Sequence, residues 1–203
     1  MICIVDYGVG NLFSIISSLK AVGAECTVTS DPEVIRSADK ILLPGVGAFE
    51  DARRKLAATG LDKVIVEQAR AGKKLFGICL GMQMLFERSF EYGVHEGLGL
   101  LRGDIVGMEG RLDPSLKIPQ IGWNSLNVVS DHPIFKYVKN GDHVYFVHSF
   151  YAEGCEDSLL ATTEYGRDIT AAVALDNVAG TQFHPEKSGY NGLKLLSNFK
   201  DML

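Results

Sequence analysis

The stretch Leu75-Phe76-Gly77-Ile78-Cys79-Leu80-Gly81 runs from a short apolar segment into a helical pattern and has a cysteine at the boundary. Its first four residues predict a buried strand, and Cys79 then stands at the start of a helix, with a glycine two places to either side. In such an elbow a nucleophile is exposed at the carboxyl end of a sheet, the backbone N–H of Leu80 faces a developing oxyanion, and the helix N-terminus stabilises a thiolate. The alternative is a buried core thiol, because free cysteine is among the most buried residue types.

Upstream of this elbow, short apolar runs alternate with helical patterns. The runs predict strands at residues 2–6, Cys26–Thr29 and Lys40–Leu43. Asn11 and Asp31-Pro32 are typical helix starts, and a longer helical stretch, 49–71, breaks at Thr59-Gly60. Because strands alternate with helices, this half predicts a parallel sheet covered by helices on both faces.

After about Glu96 the pattern changes to period-two segments separated by turn residues, which is typical of antiparallel strands. The clearest are residues 122–129 and 143–151, and further strands are predicted at 169–175 and 178–183. A final amphipathic helix carries Leu193, Leu196 and Phe199 on one face. The expected fold is therefore one α/β domain over residues 1–203, with a mostly parallel central sheet, helices on both faces and antiparallel strands in the second half.

Composition excludes several classes of protein. Of the 203 residues, 46% are apolar and 22% are charged, which is the balance of a compact globular protein and not of a disordered one. A formal charge of −5 has the wrong sign for a phosphate-backbone binder, so no nucleic acid partner is expected. No uncharged run exceeds 13 residues and the N-terminus lacks the features of a secretory signal, so we expect no membrane partner and a cytoplasmic location.

The spacing of cysteines and glycines bears on cofactors. The four cysteines, which lie far apart and give no support to a zinc ribbon or a disulfide framework, are Cys3, Cys26, Cys79 and Cys155. Apart from Cys79, we expect them only to pack. Gly8-Val9-Gly10 follows a predicted strand, but Phe13 stands where a dinucleotide fingerprint needs its third glycine. We therefore expect no cofactor and no metal.

A general base for Cys79 is offered by His184-Pro185-Glu186, which follows the last predicted strand. Residues two apart in an extended chain project to the same face, so Glu186 can hold the imidazole of His184 in the required tautomer. The three side chains then act as nucleophile, base and orienter. The alternatives are a surface histidine and glutamate in a turn, or a zinc site made by the same three side chains, although the elbow suits a nucleophile better than a ligand.

Pro44-Gly45-Val46-Gly47 follows the third predicted strand and offers backbone amides to a ligand, because glycines let peptide groups turn toward it. The segment can supply an oxyanion donor, and a plain strand-to-helix turn is the alternative. Among the other histidines, His148 lies in an apolar alternating strand, a position typical of a hydrogen-bonded structural histidine.

Together these segments resemble the class I, or triad, glutamine amidotransferases, whose signature is a Gly-x-Cys-x-Gly elbow followed much later in the chain by His-Pro-Glu. Within that family the chain is most similar to the glutaminase subunits of imidazole glycerol phosphate synthases, through six blocks in the same order. These blocks are Asp6-Tyr7-Gly8-Val9-Gly10-Asn11-Leu12, Pro44-Gly45-Val46-Gly47-Ala48-Phe49, Cys79-Leu80-Gly81-Met82-Gln83, Gly122-Trp123-Asn124, Tyr145-Phe146-Val147-His148-Ser149 and Gln182-Phe183-His184-Pro185-Glu186-Lys187-Ser188. The resemblance covers nearly the whole chain and implies a flavodoxin-like fold.

The resemblance implies a glutaminase in which Cys79 attacks the side-chain carboxamide of glutamine, His184 moves the proton and Glu186 orients His184. It further implies that the backbone amides of Leu80 and Val46 stabilise the oxyanion. The residues implied to contact glutamine are Gly45, Gly47, Gln83, His148, Ser149 and Phe150. Neither a cofactor nor a metal is implied.

The same resemblance implies a partner, the cyclase subunit of a heterodimeric synthase, which uses the ammonia to make imidazole glycerol phosphate and an aminoimidazole carboxamide ribotide in histidine biosynthesis. The residues implied at the interface are Gly10, Asn11, Trp123, Asn124 and Lys187. Because the β-branched Val46 stands where many relatives have glycine, we expect the Gly45-Val46 peptide of the isolated chain to point away from the oxyanion. The partner and its substrate would then reorient it, and the isolated chain would be a poor glutaminase.

Three alternative functions stay open at this point. One is another triad amidotransferase, feeding pyridoxal phosphate, purine or anthranilate synthesis, against which Pro44-Gly45-Val46-Gly47 and Gly122-Trp123-Asn124 argue. Another is a catalytically idle binding module on the same fold, against which the intact triad argues. The third is a hydrolase of small γ-glutamyl compounds that needs no partner.

Overall fold

The computed structural model describes residues 1–202. Strands and helices alternate in its first half, in the order β1 (Ile2–Val5), α1 (Leu12–Ala21), β2 (Cys26–Thr29), α2 (Pro32–Ser37), β3 (Lys40–Leu43), α3 (Phe49–Ala58), α4 (Leu61–Arg70), β4 (Lys74–Ile78) and α5 (Leu80–Gln83). The strands and helices predicted for this half are all present, and β2 and β3 have the predicted bounds.

Local signals in the sequence explain where these helices begin and end. The side chain of Asn11 accepts a hydrogen bond from the backbone N–H of Ser14 at 3.4 Å, and the side chain of Asp31 accepts one from Glu33 at 2.8 Å. Both residues therefore cap a helix as predicted. The break between α3 and α4 falls at Gly60, whose φ of +72° is a left-handed conformation that glycine adopts without steric cost.

The second half contains strands and one longer helix, namely β5 (Arg88–Ser89), β6 (His95–Glu96), β7 (Asp104–Gly107), β8 (Gln120–Ser125), β9 (Asn127–Val128), β10 (His143–His148), β11 (Phe150–Glu153), β12 (Leu159–Glu164), β13 (Asp168–Leu175), β14 (Val178–Thr181) and α6 (Gly189–Asp201). The predicted strand at 143–151 is interrupted at Ser149, and the one at 122–129 is divided between β8 and β9. The sequence pattern does not predict β5, β6, β7 or β12: β5 and β6 have two residues each, and β12 carries threonines on a buried strand.

The main sheet has eight strands in the order β2-β1-β3-β4-β14-β13-β12-β9. In this order, each strand from β2 to β14 is parallel to the next one, and the strands from β14 to β9 are antiparallel to their neighbours. The sheet is therefore mostly parallel, as expected, with antiparallel strands at one end. Two smaller sheets, β10-β8 and β11-β7-β5-β6, complete the structure. The chain thus returns at its end to place β14 beside β4.

Helices cover both faces of the main sheet, α2, α3 and α4 on one side and α1 and α6 on the other. Alternate residues of a strand serve the two sides: Ile41 and Leu43 pack with the first group, and Leu42 packs with the second. Each face therefore buries its own apolar layer, which confirms the predicted architecture.

Two details concern residues named in the sequence. In α6 the fully buried leucines are Leu195 and Leu196, whereas Leu193, which was expected on the buried face, is only partly buried. The cysteines outside the elbow are free thiols that pack in or against the two apolar layers: Cys3, Cys26 and Cys155. None of the helices within residues 1–202 has the length and apolar character that a bilayer crossing requires.

The strand order decides where the predicted functional segments meet. Strands β3, β4 and β14 are consecutive neighbours and run parallel, with Leu43 opposite Gly77 and Ile78 opposite Thr181. Because parallel neighbours end at the same edge, the segments that follow these three strands lie side by side.

Candidate active site

The elbow at Cys79 has the strained backbone that its sequence predicts. Cys79 joins β4 to α5 with φ +54° and ψ −112°, a conformation that side chains other than glycine rarely adopt. The flanking glycines leave room for backbone to pack closely against this turn. A Cβ at Gly81 would lie 1.9 Å from the carbonyl oxygen of Leu43, and one at Gly77 would lie 2.7 Å from the carbonyl oxygen of Gly81. They are needed for close packing around the elbow, while Cys79 itself takes the strain.

The helix after the elbow is shorter than the sequence suggests. It spans only Leu80–Gln83, a single turn, so its dipole contributes less to a thiolate than a full helix would. Its first amide remains useful, because the N–H of Leu80 donates to no acceptor within residues 1–202. A free amide at a helix start, next to the nucleophile, fits the predicted oxyanion donor.

The base lies in the segment that follows the neighbouring strand β14, as predicted. The ring Nδ1 of His184 donates to Oε1 of Glu186 at 2.7 Å, and the two side chains are 3% and 1% exposed. Burial disfavours the charged ring, but its interactions with Cys79 and with Glu186 outweigh burial and raise the pKa of His184 to about 9. The imidazole of His184 therefore carries its proton at neutral pH, as the acid that a departing amine needs.

The backbone of His184 is also fixed. Its N–H donates to the carbonyl of Tyr145 at 3.0 Å, and its own carbonyl accepts from the hydroxyl of Ser188 at 2.6 Å. The Ser188 hydroxyl in turn accepts the N–H of Tyr145 at 3.0 Å. Strand β10 and the segment after β14 thus hold the imidazole in place from both sides.

The predicted oxyanion segment follows β3 and lies against the elbow. A Cβ at Gly45 would lie 2.5 Å from the backbone nitrogen of Gly81, so the segment packs directly on α5. Val46 is 41% exposed, and its N–H donates to no acceptor within residues 1–202. Gly47 follows with φ +94°. The Val46 amide is therefore a free donor beside the nucleophile.

These elements surround a cleft of about 340 Å³. The predicted site residues that line the cleft are Val46, Gly47, Cys79, Leu80, Gln83, His148, Ser149, Phe150, His184 and Lys187. Gly45 lies beneath the cleft against α5, and Glu186 lies behind the ring of His184. The remaining predicted residues, which belong to the expected partner surface and do not line the cleft, are Gly10, Asn11, Trp123 and Asn124.

Two of the predicted glutamine contacts, Gln83 and His148, have polar neighbours within the protein. The side-chain amide of Gln83 donates to the carbonyl of Phe150 at 3.0 Å and to Oε1 of Gln182 at 2.9 Å. In His148, the ring Nδ1 lies 2.8 Å from the same Phe150 carbonyl oxygen, and Nε2 lies 3.0 Å from Oε1 of Gln120. Burial lowers the pKa of His148 to about 4, so the ring is neutral. Both neighbouring oxygens are acceptors and a neutral ring has one N–H, so the ring donates to only one of them. His148 also lines the cleft, and its contact with glutamine stays a prediction.

Three residues of the site carry no signal that the sequence analysis used. Gln182 donates from Nε2 to the sulfur of Cys79 at 3.6 Å. Glu91 lines the cleft, accepts the N–H of Phe49 at 2.6 Å, and has a pKa raised by burial. Tyr92 also lines the cleft and has φ +54°. Gln182 is the first residue of the block that contains His-Pro-Glu, so the motif already pointed to it, whereas Glu91 and Tyr92 lie in a loop with no motif.

The expected partner surface lies beside the mouth of the cleft. Trp123 is 53% exposed, and its ring meets that of Tyr145 edge to face at 6.1 Å. The ammonium of Lys187 lies 5.7 Å from the centre of the same Tyr145 ring. Asn124 accepts a hydrogen bond from Gln120 at 3.1 Å. An exposed tryptophan beside a lysine at the cleft mouth is suited to contact another protein.

The whole chain matches known proteins. A family model described as "Glutamine amidotransferase class-I" matches residues 3–202. A curated protein of Caldanaerobacter subterraneus subsp. tengcongensis, named imidazole glycerol phosphate synthase subunit HisH, is 52% identical over 204 residues, which cover 100% of this chain and 98% of that protein. A protein of the same name from Syntrophotalea carbinolica is 46% identical over 206 residues and covers 100% of both chains.

Solved structures share the fold at lower identity. A chain of the PurLQS structure from Thermotoga maritima superposes with a TM-score of 0.72 at 23% identity, and the match covers 96% of this chain and 94% of that one. A crystal structure described as a glutamine amidotransferase gives a TM-score of 0.71 at 19% identity, with 91% of this chain and 90% of that one covered. At these identities the likeness concerns the fold alone.

Proposed function

This chain belongs to the class I glutamine amidotransferase family, and on that premise we propose that it releases ammonia from glutamine as the glutaminase subunit of an imidazole glycerol phosphate synthase. The observation that carries the proposal is the placement of Cys79, His184 and the two free amides at the ends of three adjacent parallel strands. The names of the full-length relatives support the choice of synthase.

The first half of the reaction forms a thioester. The thiolate of Cys79 attacks the side-chain amide carbon of glutamine, and the carbonyl oxygen becomes an oxyanion that the amides of Leu80 and Val46 stabilise. As the carbon–nitrogen bond breaks, His184 gives its proton to the departing nitrogen, which leaves as ammonia. Glu186 keeps the ring in the orientation and tautomer that this transfer needs.

The second half releases glutamate. A water molecule attacks the thioester carbon and gives a proton to the now neutral His184. The second oxyanion forms at the same place, so the same two amides stabilise it. When the carbon–sulfur bond breaks, the sulfur leaves as the thiolate beside the imidazolium of His184, and the starting state is restored.

Binding of glutamine itself is assigned to the rest of the cleft. Gln83 holds the start of β11 through the Phe150 carbonyl, so that the backbone at Ser149, between β10 and β11, is presented to the substrate. The carboxylate of Glu91 faces the same cleft and is suited to the α-ammonium of glutamine, because the two charges are opposite. A γ-glutamyl amide with a free α-amino group is therefore the preferred substrate class.

The partner is proposed from the name of the relatives and from the surface beside the cleft. A protein named as a synthase subunit works in a complex, and ammonia released into water would be diluted before use. We assign the cyclase subunit to the side that exposes Trp123 and Lys187. The Gly45-Val46 peptide is then the element that a bound cyclase would set, because it is free of hydrogen bonds at Val46.

The alternative functions make different predictions. Another amidotransferase of the family would use another acceptor, and the fold-level likeness to PurLQS does not favour one. A catalytically idle module would not be labelled at Cys79 by an electrophile that mimics glutamine. A partner-independent hydrolase would reach full turnover alone.

The test is release of glutamate from glutamine by the pure chain, alone and with a cyclase subunit and its ribotide ligand, with Cys79→Ala as the blank. Strong stimulation that disappears in Cys79→Ala supports the nucleophile, the partner and the coupling together. Rapid release without the cyclase would point to an uncoupled hydrolase or to a different acceptor. No release under any condition would contradict the proposed reaction.

A further inference from the structure

Tyr7 is a buried tyrosine at the end of β1 whose hydroxyl has a single protein partner in residues 1–202. The side chain is 5% exposed and packs in the apolar layer that contains α3 and α4. Its hydroxyl donates to the carbonyl oxygen of Pro44 at 2.7 Å. Phenylalanine would fill nearly the same volume. The hydroxyl of Tyr7 therefore needs its own explanation, and so does its bond to this particular carbonyl.

Pro44 is the residue directly before the peptide that carries the proposed oxyanion donor. Strand β1 is the neighbour of β3, which places Tyr7 beside the segment that follows β3. The carbonyl that accepts from Tyr7 belongs to the Pro44-Gly45 peptide, and the next peptide along the chain, Gly45-Val46, carries the Val46 N–H. The hydrogen bond therefore ends one peptide away from the donor that must face the oxyanion.

In the segment after β3, the Pro44-Gly45 peptide, called the root peptide below, is closely packed, whereas Val46 and Gly47, called the tip, are exposed. At the root, a Cβ on Gly10 would lie 3.0 Å from Cβ of Pro44, and a Cβ on Gly45 would lie 2.5 Å from the nitrogen of Gly81. Neighbouring backbone thus encloses the root from two directions. At the tip, Val46 and Gly47 are exposed, and a Cβ on Gly47 would meet nothing within 4 Å. Within residues 1–202, the Tyr7 hydroxyl is the hydrogen-bond donor to the root carbonyl, and its direction adds to the restriction that packing places on this peptide.

Tyr7 acts in one protonation state. Burial raises the pKa of its hydroxyl far above the usual value, and the neighbouring Cys79 thiolate raises it further. The hydroxyl is therefore protonated, and able to donate, at neutral pH. It does not exchange protons with the substrate, and it is not a catalytic residue.

We infer that Tyr7 is a positioning residue for the oxyanion site, because its hydrogen bond to Pro44 fixes the root peptide from which the Val46 amide projects. The inference rests on the proposed function, since it assigns an effect to an amide whose role is itself proposed. Loss of the hydroxyl lets the root peptide rotate, and the Val46 donor then spends less time aligned with the developing oxyanion.

The experiment compares Tyr7→Phe with wild type in the complex with the cyclase subunit and its ribotide ligand. We expect kcat for glutamate release to fall roughly 10- to 100-fold, the scale of a small misplacement of a catalytic group, with KM for glutamine within about twofold. Alkylation of Cys79 by iodoacetamide, which forms no oxyanion, should keep its wild-type rate. A tyrosine with a merely structural role would not separate these three quantities.

Tyr165→Phe is the matched control. The hydroxyl of Tyr165 also donates to a backbone carbonyl, that of Lys117, at 2.7 Å, but it lies away from the cleft. We expect this variant to keep the wild-type kcat. If Tyr7→Phe keeps or raises kcat while wild type is active, or if KM and the alkylation rate fall with kcat, the inference is wrong. If wild type itself releases no glutamate, the proposed function fails instead.

Discussion

The backbone N–H of Cys79 donates to the carbonyl oxygen of Thr181 at 2.7 Å. This bond continues the parallel ladder of β4 and β14 by one step beyond Ile78, so the elbow is tied to the strand that leads to His184. The nucleophile and its base are therefore fixed to one another through the backbone, and their separation does not depend on a flexible loop. The pair of nucleophile and base is therefore assembled before substrate binds, whereas the Gly45-Val46 peptide is left for the partner to set.

Replacing Cys79 by alanine should abolish glutamate release. The variant has no nucleophile, and we expect kcat to fall at least about 10⁴-fold, the scale seen when a triad nucleophile is removed. Because the change only shortens a small buried side chain, the thermal midpoint should stay within a few degrees. Release of glutamate at more than a tenth of the wild-type rate would exclude Cys79 as the nucleophile.

Replacing Glu186 by glutamine should lower the pKa of His184. The carboxylate is one of the two interactions that raise this pKa to about 9 against the effect of burial. A proton-detected titration of the His184 ring, at wild-type Cys79, measures the change directly. An unchanged pKa would mean that the ion pair with Glu186 does not stabilise the imidazolium.

The same variant should alter the pH dependence of stability. The folded-state pKa of His184, about 9, is above the unfolded value of about 6.5, so the protonated ring stabilises the folded chain fully below pH 6.5. This stabilisation is lost as the pH rises through about 9. In Glu186→Gln the loss should be smaller and should end at a lower pH, as measured by urea unfolding across the window.

Replacing Val46 by proline should remove one oxyanion donor. Proline has no N–H, and loss of one such donor typically costs about 100- to 1000-fold in kcat. KM for glutamine should change little, because the donor acts on the transition state. Val46→Ala is the control, since it keeps the N–H and shortens a side chain that is 41% exposed. If both variants show the same kcat, the Val46 amide is not a donor.

Replacing Gly81 by alanine should destabilise the elbow. The new Cβ would lie 1.9 Å from the carbonyl oxygen of Leu43, which is backbone and cannot move aside without shifting β3. We expect a loss of at least about 1–3 kcal/mol in the free energy of unfolding, the cost of overpacking a core. Gly107→Ala is the control, because its nearest atom would be 3.4 Å away, on the ring of Phe150. Equal thermal midpoints for the two variants would contradict this account of Gly81.

Replacing Lys187 by glutamate should weaken binding of the cyclase subunit. The exposed ammonium at the cleft mouth is suited to pair with an acidic residue of the partner. We expect the dissociation constant to rise roughly tenfold, with a weaker dependence on salt, because the ion pair is replaced by a repulsion. Lys63→Glu, an equal charge change on the exposed face of α4, is the control. Equal affinities for the two variants would remove Lys187 from the interface.

The sequence predicted the parts of the fold and site that depend on short-range patterns. The bounds of β2 and β3, the caps at Asn11 and Asp31, and the elbow at Cys79 all follow from apolar runs, capping residues and glycines within a few positions. These features are local because strand and helix formation depend first on the periodicity and backbone preferences of neighbouring residues.

The sequence did not reveal side-chain contacts between residues that are far apart in the chain. The sequence does not show that Gln120, which faces His148 across the β8–β10 pair, lies 3.0 Å from one of its ring nitrogens. Glu91 was not identified because nothing in its loop indicates that it reaches the N–H of Phe49, 42 positions earlier. Side-chain hydrogen bonds of this kind depend on which strands become neighbours, and no periodicity records that.

By itself, then, the sequence determined an α/β chain with a cysteine elbow and a His-Pro-Glu segment, since each is written in adjacent residues. The tertiary structure alone decided that β14 inserts beside β4, that Gln182 reaches both Gln83 and Cys79, and that Tyr7 donates to Pro44. These contacts join residues 37 to 103 positions apart, and they exist because burial of both sheet faces fixes the strand order, which then brings distant polar groups within hydrogen-bonding distance.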